Sequence, residues 1–370
     1  MRIGIDGRYI QDHFPGIGRY TYNLVQALAK AAPEDSFVLL YNPQLVNTRY
    51  DLETLQSPNL EIVPVEVSTL SLAAQYRLPS LVRRLRLDLF HSPYYIKPCL
   101  LPCPSVVTIY DLIPRLYPQY ISPWARGIFE MAIRLAIVTS RLVITVSQSA
   151  KEDLVRLLGV PPSKVWVTPL GVDTQFCPAN EEAIFNLRQK YDLPGGYILY
   201  LGINKPHKNL VRLVEAFAKV KTGRKLVLAG KEDPRYREVH KVVKQLSLQD
   251  RVVFLGRVPE EDLPALYSAA DLFVYPSLYE GFGLPVLEAM ACGVPVVCSS
   301  TSSLPEIAGQ AAVVVDPLDL SQLARALERV LGDSDLRASM RQEGLKQAAR
   351  FSWERTAKET LAVYRQVLSR

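Results

Sequence analysis

The sequence predicts an α/β protein of two Rossmann-like domains, each a doubly wound parallel sheet with helices on both faces. Short β-branched runs alternate with longer segments of helical period through both halves of the 370-residue chain, and this alternation is typical of parallel sheets. The strand candidates are apolar throughout, as strands covered on both faces should be. With 48% apolar residues, the chain can form two cores at roughly 100–200 residues per domain.

Each half of the chain supplies one series of strands and helices. The first half has predicted strands at Arg2–Asp6, Phe37–Tyr41, Leu87–Ser92, Val106–Tyr110 and Leu142–Ser147. Its predicted helices are Arg19–Ala31, Ala74–Leu85, Pro123–Thr139 and Gln148–Leu158. The second half has predicted strands at Tyr197–Gly202, Lys225–Gly230, Val252–Gly256, Leu272–Ser277, Val294–Ser299 and Ala311–Asp316. Three further helices are expected at Leu318–Leu331, Ser334–Arg350 and Ser352–Leu368.

The boundary between the domains is predicted within Gly171–Asn180, where Pro169 and Pro178 interrupt the pattern. We therefore expect an N-terminal domain at residues 1–172, a C-terminal domain at 173–350, and a final helix at 351–370 that crosses back to the first domain. Ligands of doubly wound sheets bind beyond the carboxyl ends of the strands. The two sheets are accordingly predicted to open on one cleft.

Composition narrows the functional class. A net charge of +6 is too small to indicate a nucleic-acid-binding protein, but it suits anionic small ligands or an anionic membrane surface. The five cysteines are odd in number and have no zinc-site spacing, which predicts reduced thiols in a cytoplasmic protein. We expect no signal peptide, because the start at Met1–Asp6 has no long apolar region. We also expect no membrane span, because no apolar run approaches the roughly 20 residues that a span needs.

The most informative segment is a strand–loop–helix corner at residues 276–297. Gly281 and Gly283 lie in the loop, Pro285 occupies the first turn of the helix, and Gly293 ends it. Glycines allow backbone N–H groups to approach an anion closely, and a helix N-terminus favours negative charge. The corner therefore predicts a phosphate-binding site.

Two carboxylates flank this corner, Glu280 in the loop and Glu288 in the helix. A carboxylate accepts two hydrogen bonds from a vicinal diol, so each suits a sugar or a ribose. From these residues alone, two solvated glutamates at a structural corner is an equally good interpretation.

Glu280 and Glu288 form an E-x7-E motif in a string that resembles the retaining glycosyltransferases of the group 1 (family 4) type, which have the GT-B fold. Five other segments resemble landmarks of that family, in the same order along the chain: Gly16–Tyr20, Asp88–Pro93, Pro169–Asp173, Pro206–Leu210 and Phe351–Glu354. The resemblance covers nearly the whole chain. It implies a metal-independent hexosyltransferase without a cofactor, whose N-terminal domain binds the acceptor and whose C-terminal domain binds the nucleotide sugar.

The resemblance also assigns roles around the corner. Glu280 would bind hydroxyls of the donor sugar, and Glu288 would bind the ribose. The backbone against the sugar and diphosphate would be that of Gly281, Phe282, Gly283 and Leu284. Retention is explained in this family by front-face attack, in which the leaving phosphate takes the acceptor proton. The main task of the protein is then to stabilise the departing diphosphate electrostatically.

Lys208 is expected to supply positive charge for that diphosphate, because lysine is a compact cation suited to phosphate. Many relatives carry an arginine directly after the glycine that ends the preceding strand, but here Ile203 follows Gly202. Lys205 is the candidate substitute. An exposed loop lysine is the alternative interpretation of that residue.

The first half contributes two further candidate segments. Gly16-Ile17-Gly18 is predicted to form a glycine loop before a helix that begins near Arg19, and the resemblance places it under the donor phosphates. Tyr110-Asp111 ends a strand where many relatives have His-Asp, with the histidine near the donor sugar. Tyr110 and Asp111 therefore join Lys208 and Glu280 as catalytic candidates. A phenol donates a hydrogen bond but carries no positive charge. The tyrosine in place of histidine is therefore expected to affect the identity of the donor and the turnover rate more than the fold.

No metal site is predicted, because no His, Cys, Asp or Glu cluster has ligand spacing. Asp333-Ser334-Asp335 has the form D-x-D, but it lies between two predicted helices, where Asp and Ser are ordinary caps. His91, at a strand end, is interpreted as a structural hydrogen-bonding residue.

The implied partners are a nucleoside-diphosphate sugar and a glycan or lipid-linked acceptor. Residues 76–88 combine four arginines with leucines, a pattern that fits a helix lying on an anionic bilayer at the inner face of the membrane. A solvated helix that packs its leucines inward is the alternative. A mannose-type donor follows from the family alone, and the sequence does not separate GDP from UDP.

Three rival functions remain open. A non-catalytic nucleotide-sugar-binding protein would explain the missing histidine and arginine, and an epimerase on the same scaffold would need its own acid/base residues. A dinucleotide oxidoreductase would need a third glycine and an acidic residue at the end of the second strand, where Leu39-Leu40-Tyr41 stand. Release of free nucleoside diphosphate from a donor panel separates these functions.

Overall fold

Two units, each with its own parallel sheet, make up the chain. In the computed structural model, which describes residues 1–369, unit 1 comprises Met1–Gly171 together with the C-terminal segment that starts at Ser352. Unit 2 comprises Val172–Phe351. The prediction of two doubly wound α/β sheets is confirmed.

Unit 1 is built on a seven-stranded sheet in the order β3-β2-β1-β4-β5-β6-β7, with all neighbours parallel. Its strands are β1 (Arg2–Asp6), β2 (Ser36–Tyr41), β3 (Leu60–Pro64), β4 (Leu89–Ser92), β5 (Ser105–Thr108), β6 (Leu142–Thr145) and β7 (Val165–Val167). Its helices, in chain order, are α1 (Pro15–Ala31), α2 (Ala74–Arg84), α3 (Ile113–Leu116), α4 (Pro123–Thr139) and α5 (Gln148–Leu158).

Unit 2 repeats the plan with a six-stranded parallel sheet in the order β10-β9-β8-β11-β12-β13. The strands are β8 (Tyr197–Leu201), β9 (Lys225–Ala229), β10 (Val252–Gly256), β11 (Leu272–Tyr275), β12 (Val296–Ser299) and β13 (Ala312–Val315). The helices are α6 (Glu181–Tyr191), α7 (Leu210–Lys219), α8 (Glu238–Gln245), α9 (Leu263–Ser268), α10 (Leu284–Ala291), α11 (Leu304–Ala308), α12 (Leu320–Gly332) and α13 (Ser334–Ala348). Short 3-10 helices lie at Gly7–Tyr9, Leu52–Thr54, Pro118–Tyr120, Pro162–Lys164, Pro206–Lys208 and Glu260–Asp262.

The last helix, α14 (Trp353–Leu368), packs on α1 in unit 1. Ser352 caps it, since its side chain accepts a hydrogen bond from the Arg355 N–H. Thr356 Oγ1 donates to the Pro169 carbonyl over 2.6 Å. A Cβ at Gly171 would collide with the backbone of Trp353, so the close approach of these two segments requires glycine.

The sequence prediction misses the outermost strands of unit 1, β3 and β7. β3 is largely exposed along its length, and β7 has only three residues, with Trp166 exposed at its centre. Neither strand is covered on both faces, so neither has the continuous apolar run that marks the inner strands.

The segment at residues 76–88 does not have the membrane-facing arrangement considered from the sequence. Leu78 and Leu87 are buried in the core of unit 1, and Leu81 and Leu85 pack against the same cluster. The arginines of this segment lie on the exposed face. The alternative interpretation, a solvated helix with its leucines inward, is therefore correct.

Two further observations concern the cysteines and the hydropathy of the helices. All five cysteines are free thiols. None of the helices in residues 1–369 combines the length and the hydropathy needed to cross a bilayer.

Candidate active site

The candidate site of unit 2 lies where the strand order of its sheet reverses. β8 is flanked by β9 on one side and β11 on the other, and ligands of doubly wound sheets bind outside the carboxyl ends of the strands at such a point. Lys208 follows β8, and Glu280 follows β11. Residues 72 positions apart in sequence are thus brought to one edge of one sheet.

The Lys208 ammonium is bound by both oxygens of the Glu280 carboxylate. Nζ lies 2.7 Å from Oε1 and 2.8 Å from Oε2, and it also donates to the Tyr275 hydroxyl over 3.1 Å. The two charged side chains are 13% and 10% exposed, so the pair is largely removed from water. The electrostatic interaction between the two charges is strong in this environment, because a low local dielectric constant strengthens such interactions.

The main chain around Lys208 is fixed to the end of β11. Asn209 adopts the left-handed conformation, with φ of +63°, and ends the 3-10 helix Pro206–Lys208. Its buried side-chain amide donates to the carbonyls of Pro276 (3.1 Å) and Pro317 (2.8 Å). The Leu278 N–H donates to the His207 carbonyl over 2.7 Å. Lys208 is therefore placed by buried hydrogen bonds and not by its own side chain alone.

The loop after Glu280 is braced by the segment that follows β12. The Glu280 N–H donates to Ser302 Oγ over 2.9 Å. Ser303 Oγ lies 2.6 Å from the Phe282 carbonyl oxygen and 3.0 Å from that of Glu280. Gly283 has φ of +112°, and a Cβ there would lie 2.7 Å from the Leu304 side chain, so both conformation and space require glycine. Gly281 and Phe282 complete the loop, and α10 begins at Leu284.

Glu288 lies inside α10 and is almost completely buried. Its Oε2 accepts a hydrogen bond from the Tyr267 hydroxyl over 2.8 Å. Burial, and secondly the Glu288 carboxylate, raise the pKa of Tyr267 well above its ordinary value. This phenol is therefore a permanent donor that orients the carboxylate.

Lys205 and His207 flank Lys208 but contribute differently. Lys205 is exposed, and its carbonyl accepts from the Lys208 N–H over 2.9 Å. His207 is buried, and burial, followed by the neighbouring Lys208 charge, lowers its pKa to about 4. The structure brings Lys208, and not Lys205, to the Glu280 carboxylate.

In unit 1, Gly16 and Gly18 lie in a helix and not in the predicted loop. α1 begins at Pro15, because proline fits the first turn of a helix, and the Gly18 N–H donates to the Phe14 carbonyl over 2.7 Å. A Cβ at Gly18 would lie 3.2 Å from the Tyr9 carbonyl oxygen. Gly18 therefore allows the close approach of α1 to the segment that follows β1.

Tyr110 and Asp111 follow β5 at the carboxyl end of the unit 1 sheet. The Tyr110 ring meets Tyr20 of α1 edge-on, with ring centroids 5.4 Å apart. Its hydroxyl oxygen is buried and has no hydrogen-bond partner within residues 1–369, and burial raises its pKa well above the ordinary value. Asp111 Oδ1 accepts from the Ile113 N–H over 2.9 Å. An unsatisfied buried hydroxyl is costly and indicates a place where a ligand can pair with it.

His91 is a structural residue, as the sequence indicated. It is fully buried, and its two ring nitrogens pair with the hydroxyls of Tyr364 (2.6 Å) and Thr108 (2.8 Å). Burial lowers its pKa to about 3. Asp333 is also structural, since its carboxylate caps α13 by accepting from the Leu336 N–H. In the part of the chain that the structure describes, no three His, Cys, Asp or Glu side chains are grouped as metal ligands.

Sequence reasoning did not single out three residues that hold Glu280 in place: Tyr275, Ser302 and Ser303. Each lies at or just after the carboxyl end of a parallel strand, and the hydroxyl-rich run Ser299–Ser303 begins at the last residue of β12. Polar residues at that position of a doubly wound sheet are the signal that could have identified them.

Comparison with known proteins places these features in a family. Residues 184–347 match the model of the glycosyl transferases group 1, and residues 15–176 match the model of glycosyltransferase family 4. O-antigen chain mannosyltransferase B of Escherichia coli is 31% identical over 99% of this chain and 100% of its own length. The chain belongs to the group 1 glycosyltransferases.

Two further similarities extend the comparison. The MMP alpha-(1->4)-mannosyltransferase of Mycolicibacterium hassiacum is 31% identical to this glycosyltransferase, over 89% of the chain and 82% of the relative. The solved structure of HepE from Anabaena, in complex with UDP and glucose, has a TM-score of 0.76 and 22% identity, and covers 98% of each chain. With two doubly wound parallel sheets and such structural neighbours, this glycosyltransferase has the GT-B fold.

Proposed function

We propose that this glycosyltransferase moves mannose from a nucleoside-diphosphate sugar to a glycan or lipid-linked acceptor, with retention of anomeric configuration and without a divalent metal or cofactor. Both curated relatives named above are mannosyltransferases, which supports the sugar. We assign the donor to unit 2 and the acceptor to unit 1, because the candidate phosphate and diol groups lie in unit 2.

The contact between Lys208 and Glu280 is the observation that carries this proposal. One ammonium and one carboxylate sit 2.7 Å apart beside the loop Gly281–Gly283 and the N-terminus of α10. The N–H groups of the loop and of the helix N-terminus, together with a lysine, provide positive potential for a diphosphate. The Glu280 carboxylate, held beside them, can accept hydrogen bonds from the hydroxyls of the attached sugar.

The reaction that follows from these groups needs no protein base. The bond between C1 of the sugar and the diphosphate oxygen breaks, and its electron pair stays on the diphosphate. The acceptor oxygen bonds to C1 on the same face, and the acceptor proton passes to the leaving phosphate oxygen. Lys208 and the loop amides stabilise the charge that develops on the diphosphate, which is the kind of contribution that lowers the barrier most.

Metal independence is proposed because Lys208 and the loop amides supply the positive charge that the diphosphate needs. A diphosphate that leaves as an anion needs a counter-charge, and Lys208 is already positioned by Tyr275, Glu280 and the buried Asn209 amide. In this proposal Glu288 holds the ribose, since the Tyr267 hydroxyl keeps its carboxylate oriented. Tyr110 would donate its unpaired hydroxyl to the reacting sugar or the acceptor.

A non-catalytic nucleotide-sugar-binding protein remains the second candidate, favoured by the neutral Tyr110 and by Ile203 where relatives have charged groups. Incubation with GDP-mannose and UDP-glucose, with and without a glycan acceptor, separates the two. A transferase releases free nucleoside diphosphate faster when the acceptor is present. If the transferase is retaining, nuclear magnetic resonance shows that the product has the same anomeric configuration as the donor. A binding protein binds the nucleotide and releases none.

A further inference from the structure

The Ser303 hydroxyl contacts two backbone carbonyls of the loop at residues 280–283. Its Oγ lies 2.6 Å from the Phe282 carbonyl oxygen and 3.0 Å from the Glu280 carbonyl oxygen. A serine hydroxyl carries one proton, so the two carbonyls share a single donor. Ser303 is fully buried, and water therefore does not compete for that proton.

The helix that follows Ser303 does not explain this hydroxyl. Ser303 stands at the N-cap of α11, where a serine side chain ordinarily accepts a hydrogen bond from an N–H of the first turn. Among the described residues its side chain accepts no such bond, whereas its backbone carbonyl accepts from the Ile307 N–H over 3.1 Å. The hydroxyl is directed to the loop instead.

The two carbonyl contacts fix the direction of two N–H groups. The Glu280 carbonyl shares a peptide unit with the Gly281 N–H, and the Phe282 carbonyl shares one with the Gly283 N–H. Both units are trans, and in a trans unit the N–H points opposite to the C=O. The N–H groups of Gly281 and Gly283 are therefore turned away from the buried Ser303.

Glycine would allow either peptide unit to turn over. A peptide unit rotates through the ψ of one residue and the φ of the next, and a glycine in the second place admits either sign of φ. Without Ser303, a carbonyl could therefore face outward and present negative partial charge where the diphosphate is proposed to bind. The Ser303 hydroxyl selects the orientation that presents the N–H.

The Gly283 N–H has the character of a ligand-binding donor. It donates to no group within residues 1–369, although Gly283 is buried. Buried backbone N–H groups without a partner are rare in folded proteins. This one stands at the N-terminus of α10, where the helix dipole favours an anion. A bound diphosphate oxygen would supply the missing acceptor.

Other residues anchor the rest of the loop. The Glu280 N–H donates to Ser302 Oγ over 2.9 Å, and the Phe282 ring meets Phe351 edge-on, with ring centroids 6.0 Å apart. Ser302 itself has φ of +53°, a left-handed conformation that is uncommon for serine. With the path of the loop held by these contacts, what Ser303 controls is the direction of the two peptide units.

We propose that Ser303 is a positioning residue of the transfer reaction, whose hydroxyl sets the N–H groups of Gly281 and Gly283 to donate to the diphosphate of the donor. The inference rests on the proposed function, because it requires a diphosphate leaving group at this loop. When the bond between C1 and the diphosphate oxygen breaks, its electron pair stays on the diphosphate, and both N–H groups stabilise that charge. Ser303 acts through the two peptide units and not by contact with the ligand.

Nucleotide binding by the full chain tests this role. Ser303→Ala should lower the affinity for GDP or UDP, whichever the wild type binds, about tenfold by isothermal titration calorimetry. Its kcat with GDP-mannose or UDP-glucose should fall about tenfold or more, because the lost interaction is strongest as charge develops. The affinity for guanosine and uridine, measured by competition, should stay the same, since these ligands have no phosphate.

Three further variants serve as comparisons. Ser299→Ala is the matched control, since Ser299 is also fully buried in the same segment and its Oγ has no partner within residues 1–369; it should behave like the wild type. Glu280→Gln should keep the affinity for nucleoside diphosphate, so a loss of that affinity in Ser303→Ala does not act through the Glu280 carboxylate. Ser303→Cys has a weak S–H donor and should show the same pattern with smaller losses, including where the alanine variant does not fold.

Several results would overturn the inference. Equal losses of nucleoside and nucleoside-diphosphate affinity in Ser303→Ala would show a merely structural hydroxyl, and an equal loss in Ser299→Ala would show that any cavity at the end of β12 disturbs the loop. Wild-type affinity and turnover in Ser303→Ala, beside a wild type that transfers sugar, would remove this role and leave the proposed function standing. A wild type that binds neither GDP nor UDP would overturn both.

Discussion

The Nζ of Lys208 lies 2.7 Å and 2.8 Å from the two carboxylate oxygens of Glu280. The two residues follow different strands, β8 and β11, and meet only because those strands are neighbours in the unit 2 sheet. They form one electrostatic unit, so a change at either residue removes the ion-pair partner of the other in a place with little solvent.

Removal of Lys208 should therefore destabilise unit 2 by more than the loss of one surface contact. Breaking a buried ion pair by deleting one partner costs about 3–5 kcal/mol, and Lys208→Met should approach the lower end of that range because the pair is slightly exposed. Adding Glu280→Gln to Lys208→Met should restore part of the stability. Thermal unfolding followed by circular dichroism measures the stability of Lys208→Met, of Glu280→Gln and of the double variant. Purely additive losses would show that the two charges are not coupled.

Glu288 and Glu280 should have separable effects on ligand binding. Glu288→Gln should lower the affinity for free nucleoside diphosphate, since a hydrogen bond to a charged group contributes roughly 1.5–3 kcal/mol. Glu280→Gln should leave that affinity nearly unchanged and lower turnover, because its proposed partner is the sugar. Isothermal titration calorimetry and steady-state assays provide the two readouts. The reverse pattern would contradict the assignment of ribose to Glu288.

The buried Tyr110 hydroxyl should matter for catalysis and not for folding. Tyr110→Phe removes a group that has no partner within residues 1–369, so the free energy of unfolding should stay the same or rise. The kcat/KM for the donor should fall roughly threefold to tenfold, as expected for one neutral hydrogen bond. Loss of stability with unchanged kcat/KM would show that the hydroxyl is a structural group.

Stability of unit 1 should fall as the pH is lowered below about 6.5, the ordinary pKa of histidine. Burial lowers the pKa of His91 to about 3, so the unfolded chain binds a proton that the folded chain refuses. The stabilising contribution is complete above about 6.5 and is lost progressively as the pH falls toward about 3. One such group gives a slope of up to about 1.4 kcal/mol per pH unit.

Tryptophan fluorescence isolates this effect, because all three tryptophans, Trp124, Trp166 and Trp353, belong to unit 1. Urea unfolding followed at that signal should be less dependent on pH in His91→Gln than in the wild type. Identical slopes between pH 7 and pH 5 would mean that His91 is not the titrating group.

The inner strands were predictable, because β8, β9 and β11 are covered on both faces and read as unbroken apolar runs. The start of α1 was missed, although Pro15 before Gly16 signals a first helical turn.

The geometry of the site was less accessible to sequence reasoning. E-x7-E and the resemblance identified Glu280 and Glu288, but the pairing of Glu280 with Lys208 depends on the order of strands in the sheet, which no local pattern contains. The contact of Ser303 with the carbonyls of Glu280 and Phe282 also depends on strand order, because Ser303 follows a different strand, β12. Burial of the Tyr110 hydroxyl depends on the ring of Tyr20 from α1, and side-chain packing of this kind has no periodic signal.

The most direct test of the proposed role of Lys208 compares the wild type with Lys208→Met in EDTA. The measured quantity is the release of free nucleoside diphosphate from GDP-mannose and from UDP-glucose. With a glycan acceptor present, the wild type should release nucleoside diphosphate from its donor without added metal. Lys208→Met, if folded, should do so at least about 100-fold more slowly, the loss expected when charge stabilisation is removed. Release that requires magnesium or manganese, or equal rates for the two proteins, would contradict a diphosphate stabilised by Lys208.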